Sequence, residues 1–180
     1  MNPARSVRRL EEKDLPELVE LCREHAAFEQ APWVEKERLA GLRDLFLTSD
    51  DSRCWVLDAP DELAGFASAS LELATWDAQR YLHLDCLYLR EAYRGQGLGL
   101  ALVERVAQAA LEMGAVNLQW QTPEWNDGAE RFYRRLGAVP QRKLRFTLSL
   151  HGCAQLLGSK PNIQAPTPSE PVSRSLSEGP

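Results

Sequence analysis

The stretch Tyr93-Arg94-Gly95-Gln96-Gly97-Leu98-Gly99 joins a predicted strand, which ends at Leu89, to a predicted helix over 97–113. Glycines let the backbone turn tightly and bring its N–H groups close to a ligand. The first turn of a helix adds unpaired N–H donors and the positive end of the helix dipole. The side chain of Arg94 adds a full positive charge. This stretch therefore predicts a binding site for an anion of the pyrophosphate type.

Two other glycine-rich loops bind phosphates, and neither fits this stretch. The mononucleotide P-loop ends in Gly-Lys-Ser or Gly-Lys-Thr, and that ending is absent here. The dinucleotide fingerprint needs GxGxxG after the first strand of a parallel βαβ unit. Here the glycines are spaced differently, and predicted antiparallel strands come first. Taken by itself, the stretch remains open to a simpler interpretation, a turn that only opens a helix.

Apolar periodicity on both sides of the loop predicts a chain of strands and helices. The predicted strands cover 6–10, 54–57, 63–73, 81–89, 115–121 and 142–150. The predicted helices cover 15–26, 35–47, 97–113 and 129–136. Strands come first and then alternate with helices, which predicts a mixed α/β fold with helices packed on the faces of one sheet.

Bulk composition excludes several classes of protein. The 180-residue chain is 44% hydrophobic and 26% charged, as usual for a globular domain, and its net charge of -5 disfavours nucleic acid as a partner. Its four cysteines form no CxxC pair and have no histidine cluster nearby, so no metal site is predicted. No signal peptide and no long apolar run are present. We therefore expect a cytoplasmic protein without a membrane partner.

Composition changes near residue 150. Residues 1–150 read as one folded domain, whereas 151–180 are rich in Ser and Pro and poor in large apolar side chains. Such a segment cannot bury enough apolar surface to offset the entropy of ordering it. We therefore expect a mostly disordered tail. A short docking motif at Ala154-Gln155-Leu156-Leu157 is the alternative for its first residues.

A second pattern follows the loop at a distance of roughly thirty residues. Residues Asn126 to Ala138 read N-D-G-A-E-R-F-Y-R-R-L-G-A. This segment resembles the N-x-x-A-x-x-F-Y-x-x-L-G-A segment of the GCN5-related N-acetyltransferases, the GNAT family. The loop resembles that family's R/Q-x-x-G-x-G/A motif through Arg94, Gly97 and Gly99. Both motifs stand in the family's order, with a helix and a strand between them, and the resemblance covers roughly residues 5–150.

The resemblance implies a fold and a reaction. The implied fold is a central, mostly antiparallel, twisted sheet of six to seven strands with about four helices, splayed at the central strand. A bulge near the end of that strand would make room for the molecule that carries the acetyl group. The implied reaction transfers an acetyl group from acetyl-CoA to an amine without a metal ion. A homodimer is also expected, since dimers are common in this family.

The same resemblance implies roles for individual residues. Tyr133 would stand beside the sulfur of the donor and protonate the departing thiolate; a core aromatic beside Phe132 is the alternative for this residue. A backbone N–H near Leu87 would polarise the acetyl carbonyl. The implied donor contacts are the backbone of Leu87, Tyr88, Leu89, Arg94, Gly95, Gln96, Gly97, Leu98 and Gly99, with the side chains of Asn126 and Tyr133.

Three segments resemble the spermidine/spermine and thialysine acetyltransferases within the family. They are 24–29, which ends in an aromatic residue and a Glu, 74–77, which contains a Trp, and 84–89 on the central strand. These segments imply Glu29 and Asp85 as carboxylates that hold the amine and pass on its proton, with Trp76 as a wall. Solvent exposure at a helix end is the alternative for Glu29, and packing in a loop is the alternative for Trp76.

The central strand departs from that subgroup at Cys86, where a second acidic residue is usual. We therefore expect a small cationic substrate, which could be a polyamine, a diamine, an amino acid or an amine-bearing antibiotic. Cys86 would border this substrate, and it is also a candidate for a covalent intermediate, although a small buried side chain explains it equally well. Acetylation of proteins or peptides, and a regulatory module that binds acyl-CoA without catalysis, are the alternative functions.

Overall fold

The computed structural model describes residues 6–34 and 38–158. The strands are β1 (Val7–Arg9), β2 (Ser52–Asp58), β3 (Leu63–Ala74), β4 (Gln79–Leu89) and β5 (Leu118–Trp120). The helices are α1 (Leu15–Phe28), α2 (Leu39–Leu47), α3 (Leu98–Glu112), α4 (Asp127–Arg135) and α5 (Leu150–Gly158). The predicted start of α2 at residue 35 lies outside the described residues. No helix within the described ranges is both long and apolar enough to cross a bilayer.

The chain divides into two compact units, Met1–Gly137 and Ala138–Pro180. The first unit contains one sheet with the strand order β1-β2-β3-β4-β5. All neighbouring strands are antiparallel except β4 and β5, which are parallel. This mixed α/β sheet confirms the predicted fold class. The described residues form five strands, so the sheet is smaller than the predicted six to seven.

The missing strand is the one predicted over 142–150, and that prediction is wrong. Residues 138–149 have no regular structure, and α5 begins at Leu150. The segment alternates apolar and polar side chains, and its apolar members, Leu144, Phe146 and Leu148, are exposed. Alternation is the correct pattern for a half-buried strand, but a strand also needs a partner to receive its backbone hydrogen bonds. Here the backbone of this segment pairs with no other strand among the described residues.

Helix α5 covers residues that the sequence assigns to a disordered tail. Its short apolar run, which includes Leu156 and Leu157, is exposed. The rest of the predicted tail, residues 159–180, lies outside the described residues, and its disorder stays a prediction.

Two apolar clusters cover the two faces of the sheet. One joins buried side chains of α1, such as Leu18 and Leu21, to Val56 and Phe66 of the sheet, with α2 packed alongside. The other joins Leu102, Val106 and Ala109 of α3 to the opposite face. In α3 these residues recur every three or four positions, so one stripe of the helix is buried. The sheet is therefore a middle layer between α1–α2 and α3.

The sheet opens at a bulge in β4. Ser68 pairs with Cys86 and Ala69 pairs with Leu84, so Asp85 has no partner on β3. On the other side, β4 pairs with β5 only from Leu82 to Leu84. Within residues 6–34 and 38–158, no strand lies beside the remaining residues of β4 on that side. The predicted splay is confirmed, and the bulge lies at Asp85 instead of the predicted 87–89.

Candidate active site

A cleft lies where β4 and β5 separate. It brings together five residues that the sequence predicts as site residues, and it also contains residues that the sequence analysis did not single out. The lining residues are His25, Phe28, Glu29, Leu84, Asp85, Leu87, Trp120, Gln121, Thr122, Asn126, Ala129 and Tyr133. Segments far apart in the chain therefore meet here because of the splay of the sheet.

The glycine-rich loop has the conformation that an anion site needs. Gly95 and Gly97 have φ angles of +72° and +77°, in the left-handed region that favours glycine. No atom lies within 4 Å of the position that a Cβ would take at either residue, so the space beside the backbone is open. The amides of Gly97, Leu98 and Gly99 donate to no carbonyl among the described residues. They are free to bind a negatively charged group.

The side chain of Arg94 lies over Phe28, one of the residues that line the cleft. Its Nε donates to the carbonyl oxygen of Leu89 at 2.9 Å. Its guanidinium carbon lies 4.5 Å from the ring centroid of Phe28 and 5.6 Å from that of Tyr88. In this position the guanidinium makes cation–π contacts. Its predicted contact with a phosphate stays a prediction.

Asn126 begins α4 and has a structural role in addition to its predicted one. Its Oδ1 accepts a hydrogen bond from the backbone N–H of Ala129 at 3.1 Å. Asn at this position satisfies one of the unpaired amides of the first helical turn. The side chain also lines the cleft, so its NH2 group is the part that remains for a ligand.

Tyr133 lies on α4 and is mostly buried. Its ring centroid is 5.1 Å from that of Trp120 and 5.3 Å from that of Phe132. Burial, together with the negative charge of Glu29, raises the pKa of Tyr133 to about 12. The phenol therefore keeps its proton at neutral pH and can act as a hydrogen-bond or proton donor in the cleft.

Glu29 ends α1 and pairs with His25 one turn earlier. The Nε2 atom of His25 lies 3.4 Å from Oε1 of Glu29, and its ring stacks on Tyr88 with centroids 5.3 Å apart. Burial lowers the pKa of His25, although Glu29 and Asp85 both act to raise it. The imidazole is therefore neutral at neutral pH and can accept a proton. Sequence reasoning missed His25; the signal was its spacing of four residues from Glu29 on one helix.

Asp85 and Cys86 have different surroundings, and the bulge, which shifts the alternation of β4 by one residue, places Cys86 on the α1 face. Asp85 is exposed and lines the cleft, whereas Cys86 packs against the apolar cluster on the α1 face. The Sγ atom of Cys86 lies 3.6 Å from Oδ2 of Asp85. Burial, with the neighbouring charge of Asp85, raises the pKa of the Cys86 thiol far above its usual range. The thiolate that a nucleophile requires is therefore scarce.

Trp76 does not join the cleft. It lies in the short 3-10 turn Thr75–Asp77 between β3 and β4, and its side chain is 102% exposed. The turn is at one end of the hairpin, and the part of β4 from Gln79 to Asp85 separates it from Asp85 by about 20 Å, at about 3.3 Å per residue. Trp76 is therefore not among the residues that line the cleft, and its predicted role as a wall of the substrate site stays a prediction. The nearby carboxylates Asp77 and Glu124 are also absent from the cleft lining.

No group of three or more His, Cys, Asp and Glu side chains that could hold a metal ion occurs within residues 6–34 and 38–158. The ionisable side chains that line the cleft are the phenol of Tyr133, the carboxylates of Glu29 and Asp85 and the imidazole of His25.

Comparison with known proteins identifies the family. The sequence matches the Acetyltransferase (GNAT) family over residues 13–138. It is 31% identical over 141 residues to the thialysine N-epsilon-acetyltransferase of Bos taurus, covering 73% of this chain and 82% of that protein. It is 26% identical over 141 residues to the human spermidine/spermine N(1)-acetyltransferase-like protein 1, covering 74% of this chain and 20% of that protein.

A solved structure supports the fold. The chain resembles AAC(6')-Iy in complex with the bisubstrate analogue CoA-S-monomethyl-acetylneamine, with a TM-score of 0.70 and 16% identity over 82% of this chain and 99% of that one. At this identity the likeness concerns the fold alone. The family match, together with the relative from Bos taurus, decides the identity: this chain belongs to the GNAT acetyltransferase family and is an acetyl-transferring enzyme.

Proposed function

We propose that this enzyme transfers the acetyl group of acetyl-CoA to a primary amine of a small cationic molecule by direct attack. One observation carries the proposal. A single cleft brings the protonated phenol of Tyr133 together with the carboxylates of Glu29 and Asp85. An acid on one side and proton-accepting, cation-binding groups on the other are what aminolysis of a thioester needs.

The donor end of the cleft fits coenzyme A. The free amides of Gly97, Leu98 and Gly99 at the start of α3 suit a pyrophosphate, and the open glycine positions leave room for it. The edge of β4 after Leu84 has no strand beside it on the β5 side, which leaves backbone groups for an amide-bearing arm. Acetyl-CoA would supply an activated acetyl thioester. An acyl-CoA of another chain length would place the same demands on these residues.

The acceptor end suits a cation. Glu29 and Asp85 supply negative charge, and the faces of Phe28 and Tyr88 bind cations through their π electrons, as Arg94 demonstrates in this structure. An incoming ammonium group would compete with the guanidinium of Arg94 for these rings. The thialysine and spermidine/spermine relatives are named for small amines, which supports a substrate of the same class.

A bound ammonium must lose a proton before its nitrogen can attack. His25 is neutral and in contact with Glu29, so it can take up that proton while the carboxylate stabilises the imidazolium that forms. Asp85 can hold the amine through a direct hydrogen bond or a water molecule. We therefore assign the role of proton acceptor to the His25–Glu29 pair and that of orienting group to Asp85.

On the donor side, Tyr133 protonates the departing thiolate. Its high pKa keeps the proton available at every pH in the usual assay range. Transfer to a thiolate becomes favourable only when the carbon–sulfur bond breaks and the sulfur gains charge. A covalent route through Cys86 is disfavoured because its thiol is buried and stays protonated.

The test is a panel of acceptors assayed for release of coenzyme A from acetyl-CoA. The panel contains spermidine, ornithine, thialysine, neamine and a short peptide with a free N-terminus. We expect turnover with one or more of the small amines, and at least a tenfold rise in KM for that amine in Glu29→Gln, since the cation loses a charged partner. Turnover of the peptide alone would favour the protein-acetylating alternative. Binding of acetyl-CoA without any turnover would favour the regulatory module.

A further inference from the structure

A second cavity lies outside the cleft, between the β1 edge of the sheet and α3. Its volume is about 240 Å³. The strands contribute Arg9, Arg53 and Trp55, and the helix contributes Arg105, Gln108 and Glu112. Three arginines around one small space are unusual in a chain whose net charge is -5.

Strand and helix periodicity explain why these side chains converge. Arg9 of β1 is the direct cross-strand partner of Trp55 on β2. Arg53 is two residues before Trp55, so its side chain is on the same face of the sheet. On α3, the spacing of Arg105, Gln108 and Glu112 places all three on one stripe of the helix. The cavity is thus built by regular elements and not by a mobile loop.

The arginines of this cavity have no anionic partner. Within residues 6–34 and 38–158, neither Arg9, Arg53 nor Arg105 forms an ion pair. The Nη1 atom of Arg9 is buried and lacks a hydrogen-bond partner, while its guanidinium carbon lies 5.4 Å from the ring centroid of Trp55. A buried donor without a partner costs free energy, so its presence calls for a ligand.

Like charges add to this cost. Burial lowers the pKa of Arg9, and the charges of Arg53 and Arg105 lower it further. The carboxylate in the lining, Glu112, accepts a hydrogen bond from Nε2 of Gln108 at 3.1 Å. Glu112 offsets part of the positive charge, and an excess of two positive charges remains among the lining residues.

We propose that this cavity binds a small oxyanion with two or more negative charges, of the phosphate or polycarboxylate class. Guanidinium groups present paired N–H donors that match the oxygens of both classes. The guanidinium groups of Arg9, Arg53 and Arg105 line the cavity without forming an ion pair within the described residues, and together they supply the donors that such an oxyanion needs. The site is distinct from the donor loop, because Arg105 lies about 10 Å along α3 from Leu98, at a rise of about 1.5 Å per residue.

The test is isothermal titration calorimetry of the full chain with sodium phosphate and, separately, with sodium citrate. Chloride keeps the ionic strength constant in both titrations, because screening changes with salt. We expect binding of at least one anion, and the tighter one identifies the class. Arg53→Gln and Arg105→Gln should each weaken that binding at least tenfold. Arg131→Gln, an exposed arginine on α4 that is absent from the cavity lining, removes the same charge and should leave the affinity unchanged.

Melting temperatures separate loss of binding from loss of folding. Without an anion, Arg53→Gln and Arg105→Gln should melt at or above the temperature of the unmodified chain, since each removes a like-charge repulsion. The proposal is overturned if neither anion binds at millimolar concentration. It is equally overturned if the two cavity variants bind as well as the unmodified chain, which would place the anion at the glycine-rich loop. If Arg131→Gln weakens anion binding as much as the cavity variants do, the effect comes from net charge, and the proposal is overturned as well.

Discussion

Burial raises the pKa of both Tyr133 and Cys86, with opposite consequences for the two side chains. A phenol that keeps its proton remains available as a general acid, whereas a thiol that keeps its proton is a poor nucleophile. At the same scale, burial lowers the pKa of His25 and so leaves a neutral base. The roles proposed for these three residues follow from the way that burial and neighbouring charges shift each pKa. Residue type alone does not reveal these shifts.

At Tyr133, the substitution Tyr133→Phe removes the proposed acid and keeps the ring that packs on Trp120 and Phe132. We expect kcat to fall about 100-fold, the usual contribution of a positioned acid. The dissociation constant of acetyl-CoA and the melting temperature should change little. Steady-state kinetics and calorimetry provide the measurements. Tyr81→Phe, a tyrosine of β4 outside the cleft lining, is the matched control and should keep its kcat. Unchanged kcat in Tyr133→Phe would remove the phenol from the mechanism.

At His25, the prediction concerns the pH dependence of kcat. If the imidazole accepts the proton of the amine, kcat falls as the pH drops through the pKa of His25. Burial holds that pKa below 6.5, so the acid limb lies below that pH, and Tyr133 adds no basic limb in the usual assay range. His25→Gln should lower kcat and abolish the limb. His83→Gln, on β4 outside the cleft lining, serves as the control. An acid limb that persists in His25→Gln would assign the proton to another group.

At the scale of single elements, β4 decides the shape of the site. Its bulge at Asp85 releases that carboxylate from the β3 ladder, and its pairing with β5 ends at Leu84. The alternation of a regular strand would have put Asp85 on the face opposite to both of its neighbours. A one-residue change of register moves every following side chain to the other face of the strand. The bulge therefore places Cys86 against the apolar cluster on the α1 face.

The pairing of β3 with β4 predicts opposite effects on stability for alanine substitutions at two glycines. A Cβ on Gly65 of β3 would collide with the carbonyl oxygen of Tyr88 and lie 2.7 Å from Cδ2 of Leu89, whereas nothing lies within 4 Å of the Cβ position of Gly41 on α2. We expect Gly65→Ala to lower the free energy of unfolding by about 1–3 kcal/mol. Gly41→Ala should raise it by about 0.5–1 kcal/mol, since alanine favours a helix. Urea unfolding curves measure both, and equal stability of the two variants would contradict the packing described for β4.

At the scale of the whole molecule, one layered unit supports two sites of opposite character. The cleft carries the carboxylates Glu29 and Asp85 and would attract cations, whereas the cavity between the β1 edge and α3 carries three arginines. Helix α3 connects the glycine-rich loop, which precedes its first turn, to the cavity, which its later turns line. The cytoplasmic location and the homodimer expected from the sequence stay predictions.

Ligand binding by the whole molecule gives a further prediction. A ligand that binds only the folded chain stabilises it, by about 2.7 kcal/mol at a concentration of 100 times Kd. For a domain of this size that corresponds to a rise of roughly 5–10 °C in melting temperature. We expect acetyl-CoA and coenzyme A to produce this rise, and NAD and ATP at equal concentration to produce much less. Differential scanning fluorimetry measures all four, and no rise with acetyl-CoA would contradict its proposed role as donor.

Features that depend on residues close together in the chain can be predicted from the sequence. The glycine turn of the loop, the buried stripe of α3 and the motif that carries Tyr133 all come from spacings within about one helix length. These local patterns were enough to predict the mixed α/β class and the family. Local pattern also misled at 142–150, where alternation predicted a strand, because pairing requires a partner that the local sequence does not specify.

Contacts between side chains that are distant in sequence depend on the tertiary structure. It brought His25 and Glu29 of α1 to Asp85 of β4 and Tyr133 of α4, and it left Trp76 exposed at the far end of a hairpin. It also gathered the three arginines from β1, β2 and α3. Such meetings depend on strand register, on a single bulge and on how helices pack across the sheet. These are set by contacts between segments remote in sequence, whereas local spacing is set by the covalent chain.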